Sequence, residues 1–282
     1  MFGSFEFWSL NIVSGFGFRA SDLESLHFIR QSRRTLTPAV RDRRGPEDQV
    51  FYAVINPMNS SPTQLYKPQV KICGLTSPEA ALACAKLGVD AIGCVFFPKS
   101  PRHLSERRAR EICAVLPPEV KKVGVFVNET YLHIMQKVDR CGLTAVQLHG
   151  RETPELVHEI LKENIPVIKA LFAVGAPTLS DAQKYRASAF LAECGSGILP
   201  GGNAAAWDWK QARKISQTYP VILAGGLTPD NVSQAIAACR PAAVDVSSGV
   251  EKTPGIKDLA KVKAFLESVS RCILNKKLPK IF

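Results

Sequence analysis

The feature that most constrains the fold is an eightfold alternation of short apolar runs with longer amphipathic segments between residues 70 and 269. The runs are almost entirely apolar, as parallel strands buried on both faces are. The segments between them carry apolar residues every three to four positions, which predicts helices. Eight such units predict a single α/β domain, a (β/α)8 TIM barrel. The predicted strands are Val70–Leu75, Ala91–Phe97, Lys122–Val127, Ala145–His149, Pro166–Phe172, Ala189–Cys194, Val221–Gly226 and Ala243–Gly249.

The intervening segments predict helices, two of which open with a hydroxyl residue, a proline and an acidic residue. These capping signals are Ser77-Pro78-Glu79 and Thr228-Pro229-Asp230. A doubly wound open sheet would show the same alternation of strands and helices. The sequence lacks the Gly-x-Gly-x-x-Gly fingerprint of that fold, so the barrel is the favoured prediction.

The basic residues change in type at about residue 66. Residues 1–66 contain seven arginines and no lysine, whereas residues 67–282 contain ten arginines and nineteen lysines. We therefore divide the chain into an N-terminal extension at 1–66, the barrel at 67–270 and a basic tail at 271–282, which we expect to be a frayed end.

The extension fits three interpretations. It could be a targeting segment, against which its six acidic residues count. It could be a real accessory segment. We favour the third interpretation, a gene model that starts too early, with Met58 as the true start. An extension that is expressed is expected to be disordered.

The composition excludes several classes of function. No run approaches the roughly 18 apolar residues of a membrane helix, so we expect a soluble chain with no membrane association. The net charge is +11, but the basic residues are scattered with few aromatic residues among them. We therefore expect an anionic small molecule and no nucleic acid. The eight cysteines form no Cys-x-x-Cys pair and no zinc spacing, so we expect no metal and a reducing, cytoplasmic location.

Cys73 differs from the other cysteines because it ends the first predicted strand at a glycine turn, in Lys71-Ile72-Cys73-Gly74-Leu75. Residues at the carboxyl ends of barrel strands face the mouth of the barrel, where the active site lies in this fold. A thiol there is a candidate proton-transfer group. The alternative is a packed core cysteine, which behaves as a small hydrophobic residue.

The ends of the last two strands predict a phosphate site. Gly225 and Gly226 end strand 7, and Ser248 and Gly249 end strand 8. Glycines let the backbone approach an anion and expose amide donors, and a serine hydroxyl adds another donor. Either signal alone fits an ordinary turn. Together, on the two loops that often bind phosphate in this fold, they predict a phosphorylated small-molecule ligand.

Six motifs, in this order, resemble the N-(5′-phosphoribosyl)anthranilate isomerase family of tryptophan biosynthesis. The resemblance covers about residues 70–269. The motifs are Lys71-Ile72-Cys73-Gly74-Leu75, Phe97-Pro98-Lys99-Ser100-Pro101-Arg102, Val125-Phe126-Val127-Asn128, Gln147-Leu148-His149-Gly150, Ala224-Gly225-Gly226-Leu227 and Asp245-Val246-Ser247-Ser248-Gly249-Val250-Glu251.

The resemblance implies an aldose–ketose isomerase that needs no cofactor. Its reaction is the Amadori rearrangement of N-(5′-phosphoribosyl)anthranilate to 1-(2-carboxyphenylamino)-1-deoxyribulose 5-phosphate. Cys73 would be the general base and Glu193 would stand at or near the position of the family's acid, an aspartate. Only a thiolate is basic, so we expect the site to favour deprotonation of Cys73. The extra methylene of Glu193 moves the carboxyl group by about 1.5 Å, which matters for proton transfer.

The resemblance also assigns the substrate contacts. Arg102 would hold the anthranilate carboxylate through its guanidinium fork; otherwise it is a solvated loop residue. His149 would line the anthranilate pocket or have a structural role. Asp245, deep in the barrel, would be a polar partner of the site or a buried structural carboxylate. The glycines and serine after strands 7 and 8 would bind the phosphate.

Three other functions compete with this one. The related sugar isomerase of histidine biosynthesis uses a pair of aspartates, and Cys73 speaks against it. Metal-dependent pentose-phosphate epimerases need paired histidines at strand ends, and here only His149 ends a strand. A non-catalytic phosphosugar-binding barrel stays open because Glu193 and the loop at Asn203-Ala204 depart from the family pattern. Whether the chain is a monomer or a homodimer is also left open.

Overall fold

The computed structural model describes residues 66–195, 206–274 and 277–282, which belong to one compact unit spanning Asn59–Phe282. Eight parallel strands close into a barrel in chain order, and the last strand pairs with the first. The predicted (β/α)8 barrel is confirmed. The strands are β1 (Gln69–Cys73), β2 (Ala91–Val95), β3 (Lys121–Phe126), β4 (Ala145–Leu148), β5 (Val167–Phe172), β6 (Ala189–Glu193), β7 (Val221–Leu223) and β8 (Ala243–Val246).

Helices alternate with the strands and cover the outside of the barrel. Short 3-10 turns at Leu179–Asp181 and Trp209–Ala212 directly precede the fifth and sixth helices. A two-stranded antiparallel hairpin, β9 (Glu251–Thr253) and β10 (Ile256–Lys257), follows β8. The helices are α1 (Pro78–Lys86), α2 (Glu106–Val115), α3 (Tyr131–Cys141), α4 (Pro154–Lys162), α5 (Ala182–Tyr185), α6 (Arg213–Thr218), α7 (Val232–Cys239) and α8 (Leu259–Ser270).

Side-chain caps fix where several helices begin. The predicted cap Ser77 is confirmed, because its hydroxyl oxygen accepts a hydrogen bond from the Ala80 amide at 3.2 Å. The predicted start at Thr228 is wrong, since α7 begins only at Val232. The side chain of Asn231 instead closes the preceding loop by accepting from the Thr228 amide at 2.8 Å. Three further helices have the same kind of cap as α1: Ser105, Thr130 and Thr153.

Alternate residues of β1 face opposite sides of the barrel wall, as strand geometry requires. Val70 and Ile72 pack in the large apolar cluster between strands and helices. Lys71 and Cys73 face the barrel interior, where Lys71 is in register with Asp245 of β8 and pairs with it. The interior therefore carries charged and nucleophilic groups that a purely apolar barrel core would not need.

The basic tail ends in a packed position, so the expectation of a frayed end is wrong. Phe282 is 4% exposed and joins a cluster of interior side chains. The side-chain oxygen of Gln69 accepts from the amides of Ile281 and Phe282 at 2.7 and 3.0 Å, and the amide nitrogen of Gln69 donates to the Phe282 carbonyl at 3.0 Å. Because Gln69 begins β1, the chain end packs at the amino-terminal end of the barrel, away from the strand ends that carry the predicted site.

Most predicted strands extend past the observed ends. β7 ends at Leu223 and β8 at Val246, so Gly225 and Gly226 lie in the loop after β7, and Ser248 and Gly249 lie in a 3-10 turn, Ser248–Val250, after β8. No helix in the described ranges is both long and apolar enough to cross a bilayer. The predicted extension falls almost wholly outside the described residues, and so does the loop at Asn203-Ala204.

Candidate active site

A cavity opens at the carboxyl ends of the strands and brings together most of the predicted site residues. Its wall contains both candidates for proton transfer, Cys73 and Glu193, together with groups from five other strands or their following loops. The residues that line it are Cys73, Val95, Phe97, Ser100, Arg102, Val125, Val127, Gln147, His149, Glu193, Ala224, Gly225, Gly226, Leu227, Asp245, Val246, Ser247 and Ser248.

The position of the Cys73 thiol depends on two glycines. A methyl group on Gly93 of β2 would come within 2.7 Å of the Cys73 sulfur, so only glycine leaves room for the thiol. Gly74 turns the chain after β1 with φ of +75°, a conformation that glycine adopts without strain. A side chain at Gly74 would also collide with Arg102. The glycine in the Cys73 motif therefore serves both the turn and the approach of Arg102.

The ion pair between Lys71 and Asp245 lies beside Cys73 and affects the pKa of its thiol. Their side chains form an ion pair at 3.0 Å, with Lys71 fully buried. Burial raises the pKa of the Cys73 thiol, while the positive charges of Lys71 and Lys257 oppose that change. Burial lowers the pKa of Lys71, but Asp245 and Cys73 outweigh it and the net pKa is raised. The expectation that the site lowers the thiol pKa is therefore not met, because burial prevails.

Three side chains form a hydrogen-bonded chain that ends on Glu193. Nε2 of His149 lies 2.8 Å from Oε2 of Glu193, and Nδ1 of His149 lies 2.8 Å from the amide nitrogen of Gln147. All three residues are buried. The edge of the His149 ring also packs against Phe172, with 5.7 Å between ring centroids. His149 is thus held on several sides and contacts the predicted acid directly.

Arg102 is buried and paired with an acidic residue of the hairpin. Its Nε and Nη2 donate to the two carboxylate oxygens of Glu251 at 2.9 and 2.7 Å. Lys257 donates to the same carboxylate at 2.7 Å. Burial raises the pKa of Glu251, but these two cations outweigh it and lower the pKa. The interpretation of Arg102 as a solvated loop residue does not fit, and the three groups leave one excess positive charge beside the cavity.

The two predicted phosphate loops lie side by side at the cavity mouth. Gly225 and Gly226 have φ of +87° and +65°, so both use the left-handed region that favours glycine. Ser247 and Ser248 line the cavity, and Nζ of Lys257 lies 3.3 Å from the Ser247 hydroxyl oxygen. Gly249 does not line the cavity; a side chain on it would collide with the Leu227 carbonyl, so it allows the two loops to pack together.

A further buried ion pair, Lys169 with Glu152, anchors the loop that follows His149. Nζ of Lys169 donates to Glu152 at 2.9 Å and to three backbone carbonyls, including that of Gly150 at 2.8 Å. The Glu152 carboxylate in turn accepts from the amides of Asn128 and Gly150. Asn128 therefore belongs to the support of this loop.

Sequence reasoning missed four polar residues of the site: Lys71, Gln147, Glu251 and Lys257. For Lys71 and Gln147 the signal was available, since each lies two residues before a predicted site residue on the same strand. Side chains two apart in a strand share a face. Within the described residues no group of three or more His, Cys, Asp or Glu side chains is arranged to hold a metal ion.

Comparisons with known proteins agree with these features. Residues 70–268 match the family model described as N-(5′-phosphoribosyl)anthranilate (PRA) isomerase. A relative from Desulfatibacillum aliphaticivorans, named N-(5′-phosphoribosyl)anthranilate isomerase, is 51% identical over 76% of this chain and 98% of its own length.

Two solved structures each cover 72% of this chain and 98% of their own. One is a phosphoribosyl anthranilate isomerase in complex with reduced 1-(o-carboxyphenylamino)-1-deoxyribulose 5-phosphate, at 41% identity and a TM-score of 0.65. The other, at 40% identity and a TM-score of 0.64, is a generated monomer of the dimeric enzyme from Thermotoga maritima. The chain belongs to the N-(5′-phosphoribosyl)anthranilate isomerase family.

Proposed function

We propose that the barrel isomerises N-(5′-phosphoribosyl)anthranilate to 1-(2-carboxyphenylamino)-1-deoxyribulose 5-phosphate, with Glu193 as acid and Cys73 as base. The observation that carries the assignment is the common cavity. Cys73 on β1 and Glu193 on β6 both line it, and the loops after β7 and β8 lie on the arc between them. A phosphate on those loops brings the attached ribose within reach of both strand ends.

The first step protonates the ribose ring oxygen. Glu193 gives a proton to that oxygen, the bond from the oxygen to C1′ breaks, and the nitrogen lone pair forms a protonated imine at C1′. Nε2 of His149 lies 2.8 Å from Oε2 of Glu193, and an N–H at that nitrogen stabilises the carboxylate left behind. The buried position of both groups strengthens this hydrogen bond.

The second step removes the proton from C2′. The thiolate of Cys73 takes this proton, the C–H electron pair forms the C1′–C2′ double bond, and the imine nitrogen becomes neutral. The resulting enolamine tautomerises to the ketone. Lys71 and Lys257 favour the thiolate electrostatically, and both act from the side of the cavity where the base lies.

The remaining walls fit the rest of the substrate. An apolar surface formed by Val95, Phe97, Val125 and Val127 suits the aromatic ring of anthranilate. Arg102 lines the same part of the cavity, and its pairing with Glu251 leaves Nη1 to meet the anthranilate carboxylate. The amides of the loops after β7 and β8 would bind the phosphate, with Ser248 at the cavity and Gly249 behind it. Asp245 would act through its pair with Lys71.

A reducing, cytoplasmic location accompanies this proposal. None of the eight cysteines, all in the described residues, forms a disulfide, and seven of them are buried; that usage is typical of reducing compartments. Because a solved relative is described as dimeric, a homodimer is the assembly to test first, by light scattering, with a monomer as the alternative.

The activity test is the loss of substrate fluorescence with the full chain, comparing wild type with Glu193→Gln and Glu193→Asp. Glu193→Gln should lower kcat by roughly 100-fold or more because the amide cannot give up a proton. Glu193→Asp should retain turnover. Glu267→Gln, an exposed carboxylate on α8, is the matched control and should behave as wild type. A wild type without turnover that gains it only in Glu193→Asp would establish the alternative, a barrel that binds the sugar phosphate without converting it.

A further inference from the structure

Gln147 has one buried polar atom that makes no hydrogen bond within the described residues. Its side-chain nitrogen faces Nδ1 of His149 at 2.8 Å. Its side-chain oxygen is buried and has no hydrogen-bond partner within the described residues. An unpaired buried oxygen opposes folding, so an amide held in this orientation needs a reason.

The orientation decides which nitrogen of His149 carries the proton. An amide nitrogen can only donate, so Nδ1 of His149 must accept and cannot itself carry a hydrogen. A neutral imidazole then has its hydrogen on Nε2, which points at Oε2 of Glu193 at 2.8 Å.

The state of His149 in turn decides where Glu193 carries its proton. Oε2 accepts from Nε2–H of His149, so a proton on the carboxyl group must sit on Oε1. With the amide reversed, Nδ1 would carry the hydrogen, Nε2 would accept, and the acid proton would be held on Oε2 by the imidazole. That proton would be unavailable to the ring oxygen of the sugar.

We infer that Gln147 is a positioning residue that fixes the tautomer of His149 and thereby keeps the transferable proton of Glu193 on the oxygen not bonded to the imidazole. The inference rests on the proposed role of Glu193 as acid. Gln147 does not give or take a proton in the reaction. It acts through His149, as a second hydrogen-bond partner does for other catalytic imidazoles.

Two substitutions separate this role from simple packing. Gln147→Glu keeps the shape but replaces the donor with a carboxylate oxygen, which accepts from Nδ1–H, so that a neutral imidazole carries its hydrogen on Nδ1 and not on Nε2. Gln147→Met keeps the length and removes both donor and acceptor, which leaves the imidazole free to keep its hydrogen on Nε2. Gln147→Glu should therefore lower kcat by about 100-fold, the scale of one acid–base group. Gln147→Met should lower kcat by only about 10-fold. A packing role predicts the reverse order, because Glu is closer in shape to Gln.

The tautomer of His149 is measured directly by NMR in the full chain labelled with 15N-histidine. The ring nitrogens of His149 are assigned by comparison with His149→Gln and read in a long-range proton–nitrogen correlation. Wild type should show Nε2–H with bare Nδ1, Gln147→Glu should show a protonated Nδ1, and binding of the reduced product analogue should stay within about threefold in both variants.

Nδ1–H in wild type would overturn the inference, and so would Gln147→Met being slower than Gln147→Glu. The tautomer is read without turnover, so an inactive wild type would count against the proposed function and not against the placement of the proton on His149. Should the Glu variant not fold, the wild-type spectrum and the kcat of Gln147→Met still decide the matter.

Discussion

Two lysines of the barrel strands are fully buried and each pairs with a carboxylate, but they face opposite sides of the barrel wall and differ in their hydrogen bonds. Lys169 on β5 points out of the barrel wall, with its ammonium 5.5 Å from the centre of the Tyr185 ring. It donates four hydrogen bonds, three of them to backbone carbonyls. Lys71 on β1 points into the interior, where it pairs with Asp245 but makes no well-aligned hydrogen bond within the described residues.

The pKa values of the two lysines move in opposite directions. Burial lowers the pKa of Lys169, and Glu152 opposes this without reversing it. Burial also lowers the pKa of Lys71, but there Asp245 and Cys73 reverse the change. Two equally buried lysines therefore have different roles. Lys169 is a saturated structural anchor, and Lys71 is a charge with spare donors placed beside a thiol.

The largest effect is expected from removing the Cys73 thiol, beside which Lys71 lies. Cys73→Ser should lower kcat by about 1,000-fold or more, near the upper range for one acid–base group, because a hydroxyl is not a base at neutral pH. Binding of the reduced product analogue should persist, since the phosphate loops stay intact. Calorimetric titration and the fluorescence assay measure the two quantities.

Cys272→Ser is the matched control, because Cys272 is only half-buried, follows α8 and does not line the cavity; it should keep wild-type turnover. A Cys73→Ser variant that loses analogue binding and turnover together would contradict the assignment of Cys73 as base.

The second effect falls on stability and concerns Lys169. Lys169→Met should lower the free energy of unfolding by roughly 3–5 kcal/mol, the cost of leaving one member of a buried ion pair alone. Glu152 and the backbone carbonyls would lose their shared donor. Urea denaturation followed by circular dichroism gives this number, and kcat per folded molecule should change far less than in Cys73→Ser.

Adding Glu152→Gln to Lys169→Met should restore part of the lost stability, because it removes the unpaired charge. Equal unfolding midpoints for wild type and Lys169→Met would show that the pair is not the anchor described.

The fold was predictable because its signal is repeated eight times. Each strand from β1 to β8 is a short apolar run, and an error at one strand end leaves the other seven in place. The tail was mispredicted because its burial depends on contacts between residues far apart in the chain, such as the amide of Phe282 on Gln69. No local pattern of charge or hydropathy reports such a contact.

The site was predictable where a side chain sits at a strand end beside glycines, as Cys73 and Gly225 do. The residues that set the chemistry of those groups were missed. Lys71 and Gln147 lie inside apolar strands, and their partners Asp245 and His149 become evident only when the barrel closes or the strand face is fixed. The pKa of Cys73 was mispredicted for the same reason, because the sequence shows the lysine but not the depth of burial.

The smallest effect tests how Lys71 acts. The positive charge of Lys71 opposes the rise in the pKa of Cys73 that burial causes, and the negative charge of Asp245 adds to that rise. Lys71→Met therefore raises the thiol pKa further and leaves less thiolate at neutral pH. Because only the thiolate is basic, kcat/KM should fall by about 10-fold near pH 7, a modest loss for a group that only assists the base. Because the thiolate is the active form, the rising limb of kcat/KM with pH should move to higher pH, and activity should recover there.

The control for this displacement of the pH profile is Lys169→Met, the same substitution at an equally buried lysine, which should leave the rising limb where it is in wild type. In the Cys73→Ser background, Lys71→Met should cause no further loss of kcat, because groups that act as one unit are not additive. A uniform loss at every pH, with the limb unmoved, would mean that Lys71 only holds Asp245 in place and that the two buried lysines are both structural.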